Sequence, residues 1–410
     1  MLRDPRLILL ATLVLLSSGS LSASADDKSL TYERDIRPIF RTYCFDCHGA
    51  TKEKKGKLDL RLQRFLVRGG ETGPAIVPGK APDSLLIQRL RAGEMPPGDA
   101  RVPEEQIVIL ERWISLGAPT ARPEPETIPD GLGITSEERS YWAFQPITKP
   151  AEPPVKDAHR VRNPIDTFLL AQMQEKQLTF APDADRLTLI KRVYLDLVGL
   201  PPSGEQIKKF IADTRPDAYE RLVDEVLESK HYGERWGRHW LDVAGYADSE
   251  GYSNTDPVRN YAYKYRDYVI QSFNADLPFN QFIQEQLAGD EMVKPPFKNM
   301  SADNIRKLTA TGFLRMAVDG TDSSNNDVSR NQMLADTIKI VSSSLLGVSV
   351  GCAQCHDHRY DPISHDDYHR IRAVFEPTFD WKKWRTPGNR KLSLYTDKDM
   401  AERTKVQQEA

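Results

Sequence analysis

The sequence predicts a mainly α protein in which a small domain is followed by a larger all-helical domain. Apolar residues recur at helical spacing through most of the chain, and beyond residue 163 no segment alternates apolar and polar residues as a strand would. A Cys-x-x-Cys-His pentad occurs twice, as CFDCH at residues 44–48 and as CAQCH at residues 352–356, and the two pentads contain all four cysteines. One pentad therefore falls in the small domain and the other in the larger one.

Length and charge limit the functions that this chain can have. Its 410 residues are enough for two or three domains with cores of their own. The formal net charge of −3 and the interspersed charges argue against the strongly basic surface that binds nucleic acid or an anionic membrane. We therefore expect no nucleic-acid partner.

Residues 1–25 have the pattern of a secretory signal peptide. Arg3 and Arg6 precede an apolar run from Leu7 to Leu16, and Ala23-Ser24-Ala25 fits the small-x-small cleavage pattern. This run is too short to span a bilayer, and no later segment reaches about eighteen uninterrupted apolar residues. The sequence therefore predicts an exported protein, periplasmic or at the cell surface, with no transmembrane segment in the mature chain; a retained amphipathic anchor is the alternative.

Each pentad contains the groups that attach a haem to a protein chain. Two thiols three positions apart can each add to a vinyl group of one porphyrin, and the adjoining imidazole then becomes the proximal ligand of the iron. We therefore predict two haem c groups, of which the first has the stronger support. The predicted attachment residues are Cys44, Cys47 and His48 for the first haem, and Cys352, Cys355 and His356 for the second.

Three other chemistries stay open for the pentads. A disulfide within one pentad would close a loop too short to stabilise the fold by much. A redox dithiol expects a strand-to-helix context and leaves the histidine of each pentad unexplained. At the second pentad, His358 would complete a zinc ligand set, although four ligands so close in sequence strain a tetrahedral arrangement.

Met95 is the candidate sixth ligand of the first haem iron. A helix predicted over Leu30–Tyr43 leads into the first pentad, and an amphipathic helix over Pro103–Leu116 follows Met95-Pro96-Pro97. A thioether opposite a histidine is a common axial pair that raises the reduction potential, and the prolines would stiffen the loop. The alternative is a buried methionine that fills a gap in the core.

Residues Tyr32–Thr120 resemble the planctomycete-type cytochrome c domain, a small module with one haem. The resemblance is carried by DIRPIF at 35–40, the pentad at 44–48, GETGPAIVPG at 70–79, MPP at 95–97 and the segment 113–119. It implies a c-type cytochrome fold with His48 and Met95 as axial ligands. We therefore expect a cytochrome c-like domain over residues 30–120.

The rest of the chain is predicted to form a linker, a helical domain and a tail. Residues 121–163 are rich in proline and charge, as a semi-rigid linker would be, and the aromatic segment YWAF at 141–144 is expected to dock onto a domain, with a ligand platform as the alternative. The helical domain is expected over residues 164–380, and a charged helical tail over 381–410. Helix starts are predicted at Asn163-Pro164, Ser203 and Ser364, and further helices at 185–198, 217–229, 232–245, 261–273, 278–287, 304–314 and 331–348.

This second region resembles an uncharacterised helical domain that commonly follows the same cytochrome module in exported planctomycete proteins. Matching segments include NPID at 163–166, DLVGLPP at 196–202, HYGERW at 231–236, WLDVA at 240–244 and EQLAGD at 285–290. Gly245 departs from the pattern, which usually has arginine there. Such proteins usually continue into a further large domain, so the resemblance raises two expectations: a missing C-terminal partner domain, or a chain that is a fragment.

The distal face of the second haem has several candidate ligands. Met333, His365 and His369 are the candidates, an open position is a further alternative, and solvated surface is the main alternative for the two histidines. His358 lies too close to His356 in sequence to reach the opposite haem face. We expect it to support the ligands or to contact a haem propionate.

A cluster of acidic and aromatic residues offers acid-base or metal chemistry in the helical domain. Its members are Asp242, Tyr246, Asp248, Glu250, Tyr252 and Asp256, with His239 and Arg259 nearby. Capping and turn formation at a helix end gather the same residue types, which is the simpler interpretation.

The function expected from these features is electron transfer through covalently bound haem, with a redox partner protein. One alternative is a peroxidase-like redox enzyme that uses the second haem, which rests on architecture alone. The other is an extracellular polymer hydrolase or binding module with accessory haem. No catalytic residue is predicted.

Overall fold

The computed structural model describes residues 30–51, 53–126, 128, 131–251, 256–319, 326–379, 382, 384–385 and 389–409, so the predicted leader lies outside the described residues. Over these residues the protein is mainly α-helical without a strand, which confirms the predicted fold class. Two isolated bridges join Gly70 to Gly73 and Ser249 to Val258. The chain divides into two compact units, and the boundary falls between Glu126 and Thr127.

The first unit is a set of short helices. A π-helical turn, Tyr32–Ile36, continues into α1 (Arg37–Tyr43), and α2 (Phe45–His48) contains most of the first pentad. The remaining elements are a 3-10 turn at Lys55–Lys57, α3 (Gln63–Arg68), α4 (Leu85–Arg91) and α5 (Glu104–Ser115).

An aromatic core closes the first unit. Tyr32, Phe40 and Trp113 are each at most 1% exposed, and the rings of Tyr32 and Trp113 have centroids 6.0 Å apart. The Trp113 Nε1–H and the Tyr32 N–H both donate to the carbonyl oxygen of Pro119, at 3.0 and 2.9 Å. Residues near the beginning and the end of the unit are therefore joined by hydrogen bonds to one carbonyl oxygen.

The start of the predicted linker packs onto this unit. The Ala121 N–H donates to Glu33 Oε2 at 2.7 Å, and the Glu124 carboxylate accepts from the backbone N–H groups of Gln63 and Arg64 at the start of α3. A carboxylate is favourable at a helix N-terminus because the first N–H groups there lack partners within the helix.

Only glycine fits at position 69, the first residue of the loop after α3. Gly69 has φ of 77°, and a Cβ at this position would lie 1.9 Å from the carbonyl oxygen of Gly73. Gly70 and Gly73 exchange two backbone hydrogen bonds of 3.1 Å. The loop thus turns tightly before Pro74 and brings Thr72 and Ala75 to the cleft described below.

The second unit is a succession of helices. It begins with a short helix, α6 (Ser136–Arg139), and 3-10 turns at Trp142–Phe144 and Ala158–Arg160. The longer helices are α7 (Pro164–Glu175), α8 (Arg186–Leu197), α9 (Gly204–Ala212), α10 (Ala218–Leu227), α11 (Lys230–Val243), α12 (Ala262–Asn274), α13 (Phe279–Ala288), α14 (Ala302–Ala310), α15 (Asn326–Val341), α16 (His365–Phe375) and α17 (Asp397–Glu409).

Two hydrophobic cores hold these helices. Helices α8, α9 and α10 pack around Ile190, Phe210 and Leu222. A larger core extends from α11 to α16 and includes Trp240 and Met333. Trp240 donates through Nε1 to Tyr265 and to Gln286, both at 2.9 Å, so the buried indole N–H of this core is paired.

α15 differs from its predicted span of 331–348 at both ends. It begins at Asn326, and after Val341 the chain forms a π-helical turn, Ser342–Leu346, that ends at Gly347 with φ of 65°. The hydroxyls of Ser342, Ser343 and Ser344 donate back to carbonyls one turn earlier. Such side-chain bonds compete with the regular helix ladder, and they accompany the loosened end of α15.

The aromatic segment at 141–144 does not dock as predicted. Tyr141, Trp142 and Phe144 are 56%, 77% and 37% exposed. The ring of Tyr141 packs instead against those of Trp142 and Phe144, with centroids 5.8 and 6.2 Å away, because the 3-10 turn brings them together locally.

The predicted capping residues begin their helices. The Asn163 side chain accepts from the Asp166 N–H at 3.1 Å at the start of α7, and Ser203 and Ser364 form capping boxes with Gln206 and Asp367.

Replacing Ser364 with alanine should destabilise the second unit by about 1 kcal/mol, because an N–H group at the start of α16 loses its acceptor. Ser364→Asp, which keeps an acceptor, should recover most of this loss. Denaturant unfolding of the three proteins measures the difference; equal stability of the wild-type protein and the alanine variant would show that the cap contributes nothing.

The tail helix α17 is exposed throughout. Its first residue, Asp397, exchanges two hydrogen bonds of 2.7 and 2.8 Å with the Asn299 side chain.

No helix in the described part of the chain is both long and apolar enough to cross a membrane.

Candidate haem sites

The first pentad is positioned by α1 and by a buried phenylalanine. The Cys44 N–H donates to the Phe40 carbonyl oxygen at 2.8 Å, and the His48 N–H donates to the Cys44 carbonyl oxygen at 2.9 Å. The Phe45 side chain is 1% exposed and anchors the pentad in the core. Cys44 and Cys47 are half-buried free thiols, so the disulfide that the sequence left open is absent from this pentad.

Cys44, Cys47, His48 and Met95 all line one cleft of about 950 Å³, a volume that includes its open mouth. The cleft walls are mostly apolar, and among the described residues of the lining, Lys55 and Arg89 add cationic side chains other than histidine. The apolar residues of the lining include Leu58, Leu60, Leu85, Leu86, Leu90, Pro96 and Pro97. The structure thus brings together the four residues that the sequence selected for the first haem.

The His48 ring is held in one tautomer. Its Nδ1 lies 3.3 Å from the carbonyl oxygen of Leu58, which can only accept, so Nδ1 carries the proton and Nε2 keeps its lone pair. Burial lowers the pKa of His48 and favours the neutral ring. A neutral imidazole is the form that binds a metal ion, through the ring nitrogen that carries no proton.

The Cys44 thiol is in an apolar setting. Burial raises its pKa to about 12, and the neighbouring Cys47 adds to the rise. Reactive dithiols of the thioredoxin type have a lowered thiol pKa. The environment of Cys44 therefore disfavours the redox-dithiol alternative at the first pentad.

These residues fit a covalently attached haem. Two thiols at the required spacing, a neutral imidazole, a thioether and mostly apolar walls meet in one cleft, which is the set of groups that a covalently attached haem requires.

The second pentad has a different setting. Its residues lie in a 3-10 turn, Val350–Gln354, and just beyond it, and both Cys352 and Cys355 are exposed free thiols. His356 is exposed, and its Nδ1–H donates to the Asp357 carbonyl oxygen at 2.7 Å. The buried Ala353 is the residue by which this pentad joins the core.

His358 is part of the fold around the second pentad. It is 3% exposed, its Nδ1 accepts from the backbone N–H groups of Tyr360 and Asp361 at 3.1 and 2.7 Å, and its Nε2–H donates to Ser349 Oγ at 2.9 Å. The ring thus ties the turn after the pentad to the residue before it, which supports the predicted helper role and not a propionate contact. No described group of three or more His, Cys, Asp or Glu side chains is arranged to hold a metal ion, which disfavours the zinc alternative.

The candidate distal ligands of the second haem separate into two groups. Met333 is fully buried in the core, and its sulfur lies 3.9 Å from Arg315, which is a packing role. His365 and His369 lie beside the pentad, since His365 Nε2 is 3.0 Å from the Gln354 carbonyl oxygen and 3.0 Å from His369 Nε2.

The acidic and aromatic cluster is built from structural pairs. Glu250 forms a largely buried ion pair of 2.8 Å with Arg259, Tyr246 donates to Asp248 at 2.6 Å, and Asp256 accepts from the Gly251 N–H at 2.7 Å. Tyr252 lies outside the described residues. These contacts favour the turn-forming interpretation over acid-base chemistry.

Several residues of these sites were not found from the sequence. Among them are Leu58, whose carbonyl orients His48, the cations Lys55 and Arg89 in the first cleft, and Ser349, which pairs with His358. A basic residue in the loops around a haem motif is the only signal that could have pointed to Lys55 and Arg89.

Comparison with known proteins identifies both parts of the chain. A family model described as Planctomycete cytochrome C matches residues 44–99, and a model described as a protein of unknown function, DUF1549 or PSCyt2, matches residues 164–380, which is more than half of the chain. A search of curated proteins and a search of solved structures each found no match. The first match makes the small domain a c-type cytochrome domain, which implies covalently bound haem c. The chain belongs to the PSCyt2 family of DUF1549 proteins, with a planctomycete cytochrome C domain ahead of the family's helical domain.

Proposed function

We propose that the protein is an exported di-haem cytochrome that transfers single electrons between its haem groups and a redox partner protein. The observation that carries this proposal is the meeting of Cys44, Cys47, His48 and Met95 in one apolar cleft. A bound haem supplies an iron centre that gains and loses one electron.

In the first site, each residue has a proposed task. Cys44 and Cys47 would hold the haem through thioethers, and His48 would be the proximal ligand, oriented by its hydrogen bond to Leu58. Met95 would occupy the sixth position. A haem held by His48 and Met95 between mostly apolar walls would suit electron transfer better than the binding of a substrate at the iron.

In the second site, Cys352, Cys355 and His356 would hold the second haem. Both thiols and the histidine are exposed, so small molecules could reach a cofactor here more readily than in the first cleft. This exposure favours a second candidate function, a peroxidase-like redox enzyme that uses the second haem.

Export and the division into domains are also proposals. We infer a signal peptide over residues 1–25, a cytochrome domain over 30–120, a linker over 121–163, a helical domain over 164–380 and a tail over 381–410. Export agrees with covalent haem, because haem c is attached outside the cytoplasm. Thiols that carried no haem would be oxidised there.

Potentiometric titration of the purified protein, followed by absorption spectroscopy, tests the proposed function. We expect two one-electron transitions, and two low-spin spectra if the protein is only a carrier. One low-spin and one high-spin haem would favour the enzyme at the second site, whereas the absence of any reversible one-electron transition would rule out electron transfer.

A further inference from the structure

The start of α16 brings two imidazole nitrogens and a carbonyl oxygen together beside the second pentad. His365 Nε2 lies 3.0 Å from the carbonyl oxygen of Gln354 and 3.0 Å from His369 Nε2, and the two imidazole rings meet edge to face with centroids 4.5 Å apart. His365 and His369 are one helical turn apart, which places both side chains on one face of α16.

Hydrogen bonds among these three atoms cannot satisfy all of them. A carbonyl oxygen only accepts, and each neutral imidazole nitrogen either donates or accepts. If His365 Nε2 carries a proton, that single N–H must serve both Gln354 and His369. If His369 Nε2 carries the proton instead, the carbonyl oxygen of Gln354 faces the lone pair of His365. A cation between the three atoms would satisfy all of them at once.

We propose that His365, His369 and the carbonyl oxygen of Gln354 form a binding site for a divalent transition-metal ion, with Cu²⁺ as the best match. The site uses none of the proposed attachment residues Cys352, Cys355 and His356, but Gln354 lies within the second pentad, and both histidines are also candidate distal ligands of the second haem. It does not depend on the electron-transfer proposal.

The distances favour a right-angle arrangement of the ligands. Two nitrogen ligands at about 2.0–2.1 Å from a metal ion lie about 2.9 Å apart when their bonds are at right angles, and about 3.3 Å apart in a tetrahedron. The observed 3.0 Å separations, from nitrogen to nitrogen and from nitrogen to oxygen, are closer to the right-angle value. Tetragonal nitrogen and oxygen sites are typical of Cu²⁺ and Ni²⁺, and Cu²⁺ has the higher affinity of the two.

The site is open to solvent, and neighbouring residues fix the backbone of His365 and the ring of His369. His369 is exposed and His365 is partly exposed, so an ion can enter without unfolding the chain, and water can complete its coordination. The His365 N–H donates to Asp357 Oδ1 at 3.0 Å, and the ring of the fully buried Tyr368 packs edge-on against His369 at 5.3 Å. The backbone at His365 and the ring of His369 are therefore held in place before any ion binds.

The test is a Cu²⁺ titration of the purified full chain, buffered with glycine as a competitor and followed by electron paramagnetic resonance. Wild-type protein should bind one Cu²⁺ with the hyperfine pattern of two imidazole nitrogens. Because even the partners of metal ligands change affinity by roughly 10- to 100-fold, loss of one ligand in His369→Ala or His365→Ala should weaken binding at least about tenfold and remove the two-nitrogen pattern.

Two controls make the result decisive. His159→Ala removes an exposed histidine elsewhere in the same unit and should leave binding unchanged. A sample treated with iodoacetamide excludes copper held by free thiols. Equal affinity and an unchanged spectrum in the wild-type chain and in both α16 variants, at unchanged helical circular dichroism, would overturn the proposal.

Discussion

The Met95→Ala variant is expected to have a lower reduction potential at the first haem, by on the order of 100 mV. A thioether ligand favours reduced iron, and the identity of the axial ligands sets haem potentials over a range of about 0.8 V. The oxidised protein should also lose its methionine-to-iron charge-transfer band. Both changes are measured by absorption during a potentiometric titration.

The matched control for this variant is Met292→Ala, because Met292 is 43% exposed and lies in the second unit. It should leave the potential and the band unchanged. If the band persists in Met95→Ala, then Met95 is a packing residue in the cleft and the iron has another sixth ligand.

The Trp113→Ala variant is expected to lose about 3–5 kcal/mol of stability in the first unit. Trp113 is fully buried, it packs against Tyr32, and it donates the hydrogen bond to Pro119 that closes the unit. Removing a large buried aromatic side chain leaves a cavity, and here it also removes one of the two hydrogen bonds that the Pro119 carbonyl accepts. Since the free energy of unfolding of a native protein is only about 5–15 kcal/mol, the first unit should come close to unfolding.

Hydrogen exchange followed by mass spectrometry measures this effect separately in each unit. Amides of residues 30–126 should lose protection in Trp113→Ala, while those of the second unit keep it. Trp142→Ala is the control, since Trp142 is 77% exposed and its loss should change stability by less than about 0.5 kcal/mol. Unchanged protection in Trp113→Ala would contradict the importance of this core.

Local sequence signals predicted much of the fold, and they selected four residues that meet in the first cleft. Helical periodicity and capping residues such as Asn163 and Ser364 act over a few positions. The helices that they specify therefore do not depend on distant parts of the chain. Met95 could be selected because its order in the sequence, after a pentad and before an amphipathic helix, matches a known arrangement.

Features that depend on tertiary packing were not predictable in the same way. The Leu58 carbonyl that orients His48 carries no side-chain signal, and the meeting of His365 with Gln354 depends on how α16 packs beside the pentad. The exposure of Trp142 was also not predicted. An aromatic cluster in a linker suggests packing onto a domain, and the sequence does not show that these aromatic rings pack against one another instead.

The number of covalently bound haem groups per chain tests the proposed function most directly. Haem retained after denaturing electrophoresis should amount to two per chain in the wild-type protein. It should fall to one in Cys44→Ala/Cys47→Ala, and likewise to one in Cys352→Ala/Cys355→Ala. A wild-type chain without covalent haem, or a count that the loss of Cys44 and Cys47 leaves unchanged, would contradict the proposal.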